Sequence, residues 1–105
     1  MKRETFTRRI WDGVESVLGT RTVLTGYEGF TFYAYREESS GFWTLYEASS
    51  GFQIPWHDTS PIPKTKRAAI ENAENVLRER TLNIPLEQWL DRAIELYGPL
   101  PAVSE

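Results

Sequence analysis

A histidine, an aspartate and a serine stand close together near the middle of the chain. His57, Asp58 and Ser60 supply the atoms of a hydrolase triad. Triads are assembled in space from separate parts of a chain, and neighbouring residues rarely reach the required geometry. The sequence also lacks the GxSxG motif of a nucleophile elbow. We therefore interpret His57 as a surface loop residue and predict no catalytic residues in this segment.

Paired carboxylates are the other side chains that could do acid–base chemistry. Glu37 and Glu38 are adjacent, and Glu47 is expected to project from the same sheet face as Glu37. At a hairpin tip carboxylates stay solvated and ionised, whereas acid–base work needs a neighbour that separates the two titrations. The chain has no cysteine, one histidine and no phosphate-loop or dinucleotide motif. These observations predict a protein that is not an enzyme and that holds neither cofactor nor metal.

A basic cluster precedes the second predicted helix. Lys64, Lys66 and Arg67 surround Thr65, which is the predicted N-cap. Cations at a helix N-terminus oppose the helix macrodipole. However, lysine, arginine and free backbone N–H groups together make a site for anions such as phosphate. Phosphate binding and a solvent-exposed cluster without a ligand are the two interpretations that the sequence leaves open.

Aromatic side chains form the candidate binding surface. Tyr33, Tyr35, Trp43 and Leu45 are predicted to share one face of a sheet. An uncovered aromatic face can anchor a protein partner or stack on nucleic-acid bases. It can also be covered by the first helix of the same chain. We predict that these residues bind a protein partner, and the two other interpretations stay open.

The stretch from Gly26 to His57 must position these side chains. Its alternation of apolar and other residues predicts an antiparallel meander of three strands, with runs that begin at Phe30, Phe42 and Phe52. The motif Ser-Ser-Gly-Phe occurs in both connections, ten residues apart. Glycine in the third position of each loop predicts a three-residue hairpin with a bulge.

The predicted turns determine the register of the meander. Glu38 would face Phe42, and Ala48 would face Phe52, which puts the four candidate partner-binding residues on one face. A two-residue turn would shift the pairing by one residue and put Glu47 opposite Phe52 on the core side, so the bulged turn is preferred. Pro55 cannot donate to a ladder, so the third strand is an edge strand or ends there. The opposite face is nearly free of charge and carries Phe30, Phe32, Ala34, Phe42, Thr44, Tyr46, Ala48, Phe52, Ile54 and Trp56.

The residues before the meander are predicted to form a helix. Over residues 4–18 the apolar side chains recur at helical spacing. Those that share one face are Phe6, Ile10, Val14, Val17 and Leu18. Thr5 is the expected N-cap and Gly19 the expected stop. Gly13 inside the helix costs about 1 kcal/mol relative to alanine, so this helix would depend on tertiary contacts.

Two further helices are predicted after the meander. The first extends over 66–80, and the second begins at Pro85 and ends at Gly98. The element order is therefore αβββαα, a two-layer α+β fold in which helices cover the charge-poor sheet face. We expect a single domain with a loose N-terminus at residues 1–4 and a loose tail at residues 99–105.

The predicted order resembles that of two nucleic-acid-binding families. Over about residues 4–80 it is similar to double-stranded-RNA-binding domains and to the sheet-plus-helix arm-binding domains of phage integrases. Lys64-Thr65-Lys66, before an alanine-rich helix, resembles the basic start of their last helix. The resemblance is one of architecture, and the acidic charge of this chain departs from both families.

Charge and composition limit the classes of function that the chain can have. The net charge is −3, whereas a protein that binds nucleic acid over its whole surface is usually basic. No run approaches the length of a membrane span, and the N-terminus has no apolar signal core, so we expect a cytoplasmic protein. We predict a small protein-binding module, a regulator or inhibitor of a larger machine or a homodimer. A nucleic-acid-binding module is the alternative, and an enzyme ranks third.

Overall fold

The computed structural model describes residues 3–10, 13–57 and 61–98. Four antiparallel strands in the spatial order β1-β2-β3-β4 form a sheet, and two helices follow it in the chain. The small α+β domain with an antiparallel sheet is therefore confirmed, but the predicted order αβββαα is wrong. The elements are β1 (Glu4–Ile10), β2 (Gly13–Thr22), β3 (Phe32–Arg36), β4 (Trp43–Glu47), α1 (Lys66–Arg80) and α2 (Leu86–Tyr97).

A β-hairpin occupies the place of the predicted first helix. β1 and β2 pair from Ile10 opposite Gly13 to Glu4 opposite Gly19, so the helix over residues 4–18 is wrong. The apolar residues of this segment repeat at a spacing that suits a helix, but the pairing brings Phe6 and Val17 together across the two strands. Since a β-hairpin satisfies the backbone and buries Phe6, tertiary packing outweighs the helical periodicity.

Gly19 marks the point where β2 bends. Before it β2 pairs with β1, and after it β2 pairs with β3 at Thr20, Arg21 and Thr22. The bend curls the hairpin over the sheet, and the Phe6 ring stacks on Tyr33 with centroids 4.7 Å apart and planes nearly parallel. A Cβ atom at Gly19 would lie 2.5 Å from Phe6 Cε1, so only glycine fits beneath this ring. A sheet curled in this way has an inner face and an outer face.

The register between β3 and β4 differs by one residue from the prediction. Arg36 pairs with Trp43 and Phe32 with Glu47, and the Glu37 N–H donates to the Phe42 carbonyl at 2.8 Å. The loop therefore has four residues instead of three, with Gly41 still in a left-handed conformation. A shift of one residue exchanges the two faces of a strand. Trp43 consequently lies on the same face as Phe32, and the predicted register is wrong.

Glu47 explains why the observed register is stable. The prediction disfavoured this register because it puts Glu47 opposite Phe52 on the core side. In the structure the Glu47 side chain is buried, and its carboxylate accepts hydrogen bonds from the Ser49 and Ser50 N–H groups at 2.9 Å each. The Ser49 hydroxyl donates a third bond at 2.6 Å. A buried carboxylate with several donors costs far less than an unpaired one, so the turn itself compensates the charge.

The segment after β4 replaces the predicted third strand. It has a single bridge, Tyr46 to Gln53, with backbone bonds from the Glu47 N–H to the Phe52 carbonyl and from the Ile54 N–H to the Leu45 carbonyl. Pairing ends before Pro55, as predicted from its missing donor. On the far side of the sheet, the Arg9 N–H donates to the Gly51 carbonyl at 2.8 Å, so the curled hairpin reaches back to the second turn.

The sheet separates two apolar clusters. The inner face holds a small aromatic cluster, which consists of Phe6, Tyr33 and Tyr46 with Val17, Tyr35 and Ala48 at its margin. The outer face of β3 and β4 packs against α1. The main core there consists of Leu24, Phe32, Ala34, Leu45, Ile54, Ala69, Ala73, Val76, Leu77 and Leu86. Helices therefore cover one face, and the chain's own hairpin covers the other.

Both helices agree with the sequence-based predictions. α1 has the predicted bounds, and the Thr65 hydroxyl caps it by accepting from the Ala68 N–H at 3.1 Å. α2 begins after Pro85 and ends at Gly98, as predicted. Its apolar side is only partly covered, because Trp89 is 37% exposed and Tyr97 is 68% exposed. No helix within the described residues has the length and apolar character of a membrane span.

Candidate functional site

One ion-pair network joins all four strands at the mouth of the curled sheet. Arg8 of β1 donates to Glu15 of β2 through Nε at 2.7 Å, and its Nη1 donates to Glu37 Oε1 at 2.7 Å. The Tyr46 hydroxyl of β4 accepts from Arg8 Nη1 at 2.9 Å and donates to Glu37 Oε1 at 2.9 Å. The guanidinium carbon also lies 4.5 Å from the Tyr35 ring centroid. Each strand or its end contributes at least one partner.

This network engages most donors of Arg8, so we interpret it as a structural clamp. The Arg8 side chain is 12% exposed and its charge faces two carboxylates. Burial alone would lower the pKa of Arg8, but hydrogen bonds to Glu15 and Tyr46 and the charge of Glu37 outweigh it and raise that pKa above its ordinary value. Four of the five N–H donors of the guanidinium are engaged within the network, which leaves little of it open to an anion. The clamp holds the hairpin over the inner face.

The clamp predicts a pH dependence of stability through Tyr46. Burial, then the hydrogen bond and charge of Glu37, raise the pKa of Tyr46 to about 12 from an ordinary 10.0. Because the folded chain holds this proton more tightly, neutral Tyr46 stabilises the fold below pH 10.0, and this contribution is lost as the pH rises to about 12. Between pH 10.0 and about 12, the free energy of unfolding of the wild type should fall by about 2 kcal/mol more than that of Tyr46→Phe, which has no phenol to ionise at this position. Denaturant unfolding of both proteins at several pH values measures this difference. An equal fall in the wild type and in Tyr46→Phe would contradict the prediction.

A cleft opens where β2 and β3 separate. The ladder between them stops at Thr20 opposite Ala34, and the next rung, Leu18 with Arg36, is not formed. The space between the diverging strands has a volume of about 500 Å³, which is within the size range of ligand clefts. Its walls come from Arg3 and Thr5 of the β1 region, residues 16–20 of β2, residues 34–36 of β3, and Glu38 and Trp43.

Backbone groups of β2 point into this cleft. Hydrogen-bonding directions alternate along a strand. The Arg9 N–H bonds to Gly51, away from β2, so the β2 residue opposite it, Val14, also turns its backbone groups away from β1. By the same alternation, Ser16 and Leu18 direct their N–H and C=O groups toward the cleft. The edge of β2 from Val14 to Leu18 therefore lacks a ladder partner among the described residues.

The cleft is positively charged and partly aromatic. Arg3 and Arg36 are both exposed, and neither has an ion-pair partner within residues 3–10, 13–57 and 61–98. Tyr35 and Trp43 are half-buried in its wall, and Leu18 is 51% exposed. Guanidinium groups, aromatic rings and strand-edge donors are side by side here, which suits a ligand with negative charge and a backbone of its own.

The predicted partner-binding residues are divided between the two faces. Tyr33 and Leu45 are buried, the first in the inner aromatic cluster and the second in the main core. Tyr35 and Trp43 lie on opposite faces, yet both line the cleft because the strands diverge beside them. A single aromatic surface made of all four residues is therefore wrong. Whether Tyr35 and Trp43 bind a partner stays a prediction.

The predicted basic cluster lies at the start of α1. Lys64 and Arg67 are exposed, and Arg67 Nε is 3.8 Å from Glu71 on the next turn. The Thr65 side chain already occupies one of the helix's free N–H groups. Lys64 and Arg67 are therefore solvent-exposed and Lys66 is half-buried, and anion binding by Lys64, Lys66 and Arg67 stays a prediction.

His57 is held by α1. Its N–H donates to Asn72 Oδ1 at 2.8 Å, and its Nε2 lies 3.1 Å from Glu79 Oε1. Asp58 and Ser60 lie outside the described residues. The predicted solvated carboxylates also need correction, because Glu37 is engaged by the clamp and Glu47 is buried under its own turn. No cluster of three potential metal ligands occurs in the described parts of the chain.

Two sets of residues escaped the sequence analysis. The clamp residues Arg8 and Glu15 were assigned to a helix, where they would not meet Glu37. The dipeptide Asp12-Gly13 is a hairpin signal that favours strands on both sides of it, and it could have placed Arg8 and Glu15 on neighbouring strands. The cleft has no such local signal, because it depends on where the β2–β3 ladder stops.

Comparison with known proteins finds no protein that is significantly similar to this chain. No family model matches the chain, and neither the curated proteins nor the solved structures contain a significant match. The resemblance of element order to double-stranded-RNA-binding and integrase arm-binding domains also fails at the predicted first helix, since residues 4–10 and 13–18 belong to strands. Function must therefore be argued from the site alone.

Proposed function

We propose that this protein is a small, non-enzymatic binding module that holds a protein partner in the β2–β3 cleft. The observation that carries the proposal is that Arg3 and Arg36, without ion-pair partners in the described residues, flank the half-buried rings of Tyr35 and Trp43. Tyrosine, tryptophan and arginine dominate the binding energy of protein interfaces. The gap between the diverging strands β2 and β3 provides a concave surface around the two arginines and the two rings.

Charge favours a protein partner over nucleic acid. The chain carries a net charge of −3, and Glu38 stands in the wall of the cleft. A long polyanion would meet this acidic surface on either side of two arginines, whereas a short acidic segment would contact the arginines alone. Nucleic-acid binding through Lys64, Lys66 and Arg67 is the alternative, and it uses a different surface.

Charge reversal in the cleft tests the proposal. Arg36→Glu should weaken capture of partner proteins from the source cell by at least about tenfold, since one exposed cation becomes a like charge for an acidic ligand. Arg92→Glu on α2 is the matched control, because Arg92 is also exposed and is absent from the cleft walls. Quantitative mass spectrometry of the co-purified proteins measures the difference, and circular dichroism verifies the fold of both variants.

Other outcomes identify other functions. Equal capture by Arg36→Glu and Arg92→Glu would contradict the cleft as a binding site. If Arg36→Glu instead converts a dimer to a monomer in sedimentation, the partner is a second copy of the chain. Steeply salt-dependent binding to DNA or RNA, lost on changing Lys64, Lys66 and Arg67 to alanine, would support the nucleic-acid alternative.

A further inference from the structure

The edge of β2 is the part of the cleft that limits what can bind. Ser16 and Leu18, two residues apart, turn their backbone groups into the cleft without a ladder partner in the described chain. An edge of this kind is a template for pairing with another strand. Added strands gain affinity from main-chain hydrogen bonds and specificity from alternate side chains.

We infer that the cleft takes an extended, acidic segment of a partner protein, which adds as a strand to the edge of β2. The inference rests on the proposed function and names the chemistry of the partner. In this arrangement the added backbone pairs with Ser16 and Leu18, and its acidic side chains face Arg3 and Arg36. Guanidinium groups bind carboxylates with two parallel hydrogen bonds when the approach is open, as it is at both exposed arginines.

The backbone pattern separates this ligand from other anions. Donors and acceptors that alternate along a strand match a second peptide backbone in period and in chemistry. A helix has no free backbone groups along its length, and a nucleic acid offers phosphate oxygens and, in RNA, ribose hydroxyls, but no amide donors that alternate with carbonyl acceptors. The two arginines alone could bind any of these ligands if they are acidic. The backbone groups at the β2 edge therefore distinguish an extended peptide from a helix or a nucleic acid.

A displayed library of random peptides provides the probe. Selection on the whole protein, with removal of clones that also bind Arg36→Glu, should enrich peptides rich in aspartate and glutamate, alternating with β-branched or aromatic residues. The best clone is then synthesised for affinity measurements. Failure to enrich any peptide, or enrichment of basic peptides, would overturn the inference.

Backbone methylation of the selected peptide tests strand addition directly. Methyl groups on the N atoms of every second residue should weaken binding by at least about tenfold in one of the two alternating sets and have little effect in the other. Only one set faces β2 in an added strand. Equal effects of both sets would overturn the inference.

The protein side provides a matched pair of variants. Ser16→Pro removes the N–H that points into the cleft and leaves the β1–β2 rungs on either side intact, whereas Ser16→Ala removes only the hydroxyl. The proline variant should lose affinity at least about tenfold and the alanine variant should not. Hydrogen exchange at the Leu18 amide should also slow at least about tenfold in wild type when the peptide is bound. Unchanged exchange would overturn strand addition even if Ser16→Pro proves unstable.

Failure of the inference and failure of the proposed function are distinguishable. If Arg36→Glu loses its cellular partner but the Leu18 amide gains no protection, the cleft binds a protein by another geometry. If Arg36→Glu keeps its partner, the proposed function itself is wrong.

Discussion

Phe6→Ala is expected to lower the free energy of unfolding by about 4 kcal/mol, because it removes the ring on which the inner face is built. Truncation of a buried phenylalanine costs about 3–5 kcal/mol, and a stacked aromatic pair adds to that cost. Phe6 is 6% exposed and contacts the rings of Tyr33, Tyr35 and Tyr46. Chemical denaturation followed by circular dichroism measures the change.

Thr5→Ala is the control for this prediction. Thr5 neighbours Phe6 in β1, is exposed and points to the opposite face. Its truncation removes little packing and should cost less than about 1 kcal/mol. A similar small cost for Phe6→Ala would mean that the hairpin does not pack on the inner face, and the clamp around Arg8 would lose its structural reason.

The two helices could be predicted because their signals are local. Thr65 caps α1, an apolar stripe repeats through it, and Pro85 and Gly98 delimit α2. Each signal operates within a few residues, so it needs no knowledge of the rest of the fold. The strand-forming runs at β3 and β4 were recognised for the same reason.

The hairpin β1–β2 was missed because its pattern satisfies two periods at once. Phe6 and Ile10 are spaced as on a helix, and Val17 and Leu18 continue that face. In the structure only Phe6 and Val17 of this set belong to the inner aromatic cluster, and they meet across strands rather than along a helix. Periodicity cannot separate these arrangements when a turn lies inside the window, and Gly13 was the residue that argued for the turn.

The candidate site could be predicted only in part. Tyr35 and Trp43 were chosen as surface aromatics, and both line the cleft. The reason for the choice was wrong, since it relied on a register that the four-residue loop excludes. Glu47 was decisive there, because a buried carboxylate was counted as unfavourable although its own turn supplies three donors. Whether a buried charge is satisfied depends on loop geometry that a residue pattern does not contain.

The cleft and the inner cluster have a common origin in the bend of β2. The bend brings Phe6 over Gly19 onto Tyr33, and it also stops the ladder between β2 and β3. A flat sheet would pair Leu18 with Arg36 and close the cleft. The bend of β2 therefore has two effects: it packs Phe6 on the inner face, and it exposes the edge of β2 that we propose for binding.

Gly19→Val tests this bend, because two physical effects predict opposite signs. Valine has the higher strand propensity, so in an open strand the change would stabilise the protein. At this position the new Cβ would lie 2.5 Å from Phe6 Cε1 and 2.9 Å from the Ala34 carbonyl oxygen, and the second atom belongs to the backbone. We therefore expect the free energy of unfolding to fall by about 3 kcal/mol, as in other overpacked sites.

A double mutant shows whether the Phe6 ring causes that cost. In the Phe6→Ala background the space above Gly19 is free, so Gly19→Val should cost at least about 1 kcal/mol less than in wild type. Gly29→Ala is the control, since a Cβ at Gly29 meets no atom within 4 Å, and its effect should stay within about 0.5 kcal/mol. Additive effects of the two changes would contradict direct contact between Phe6 and Gly19. A Gly19→Val variant more stable than wild type would show that β2 runs straight, and the cleft would then have no structural cause.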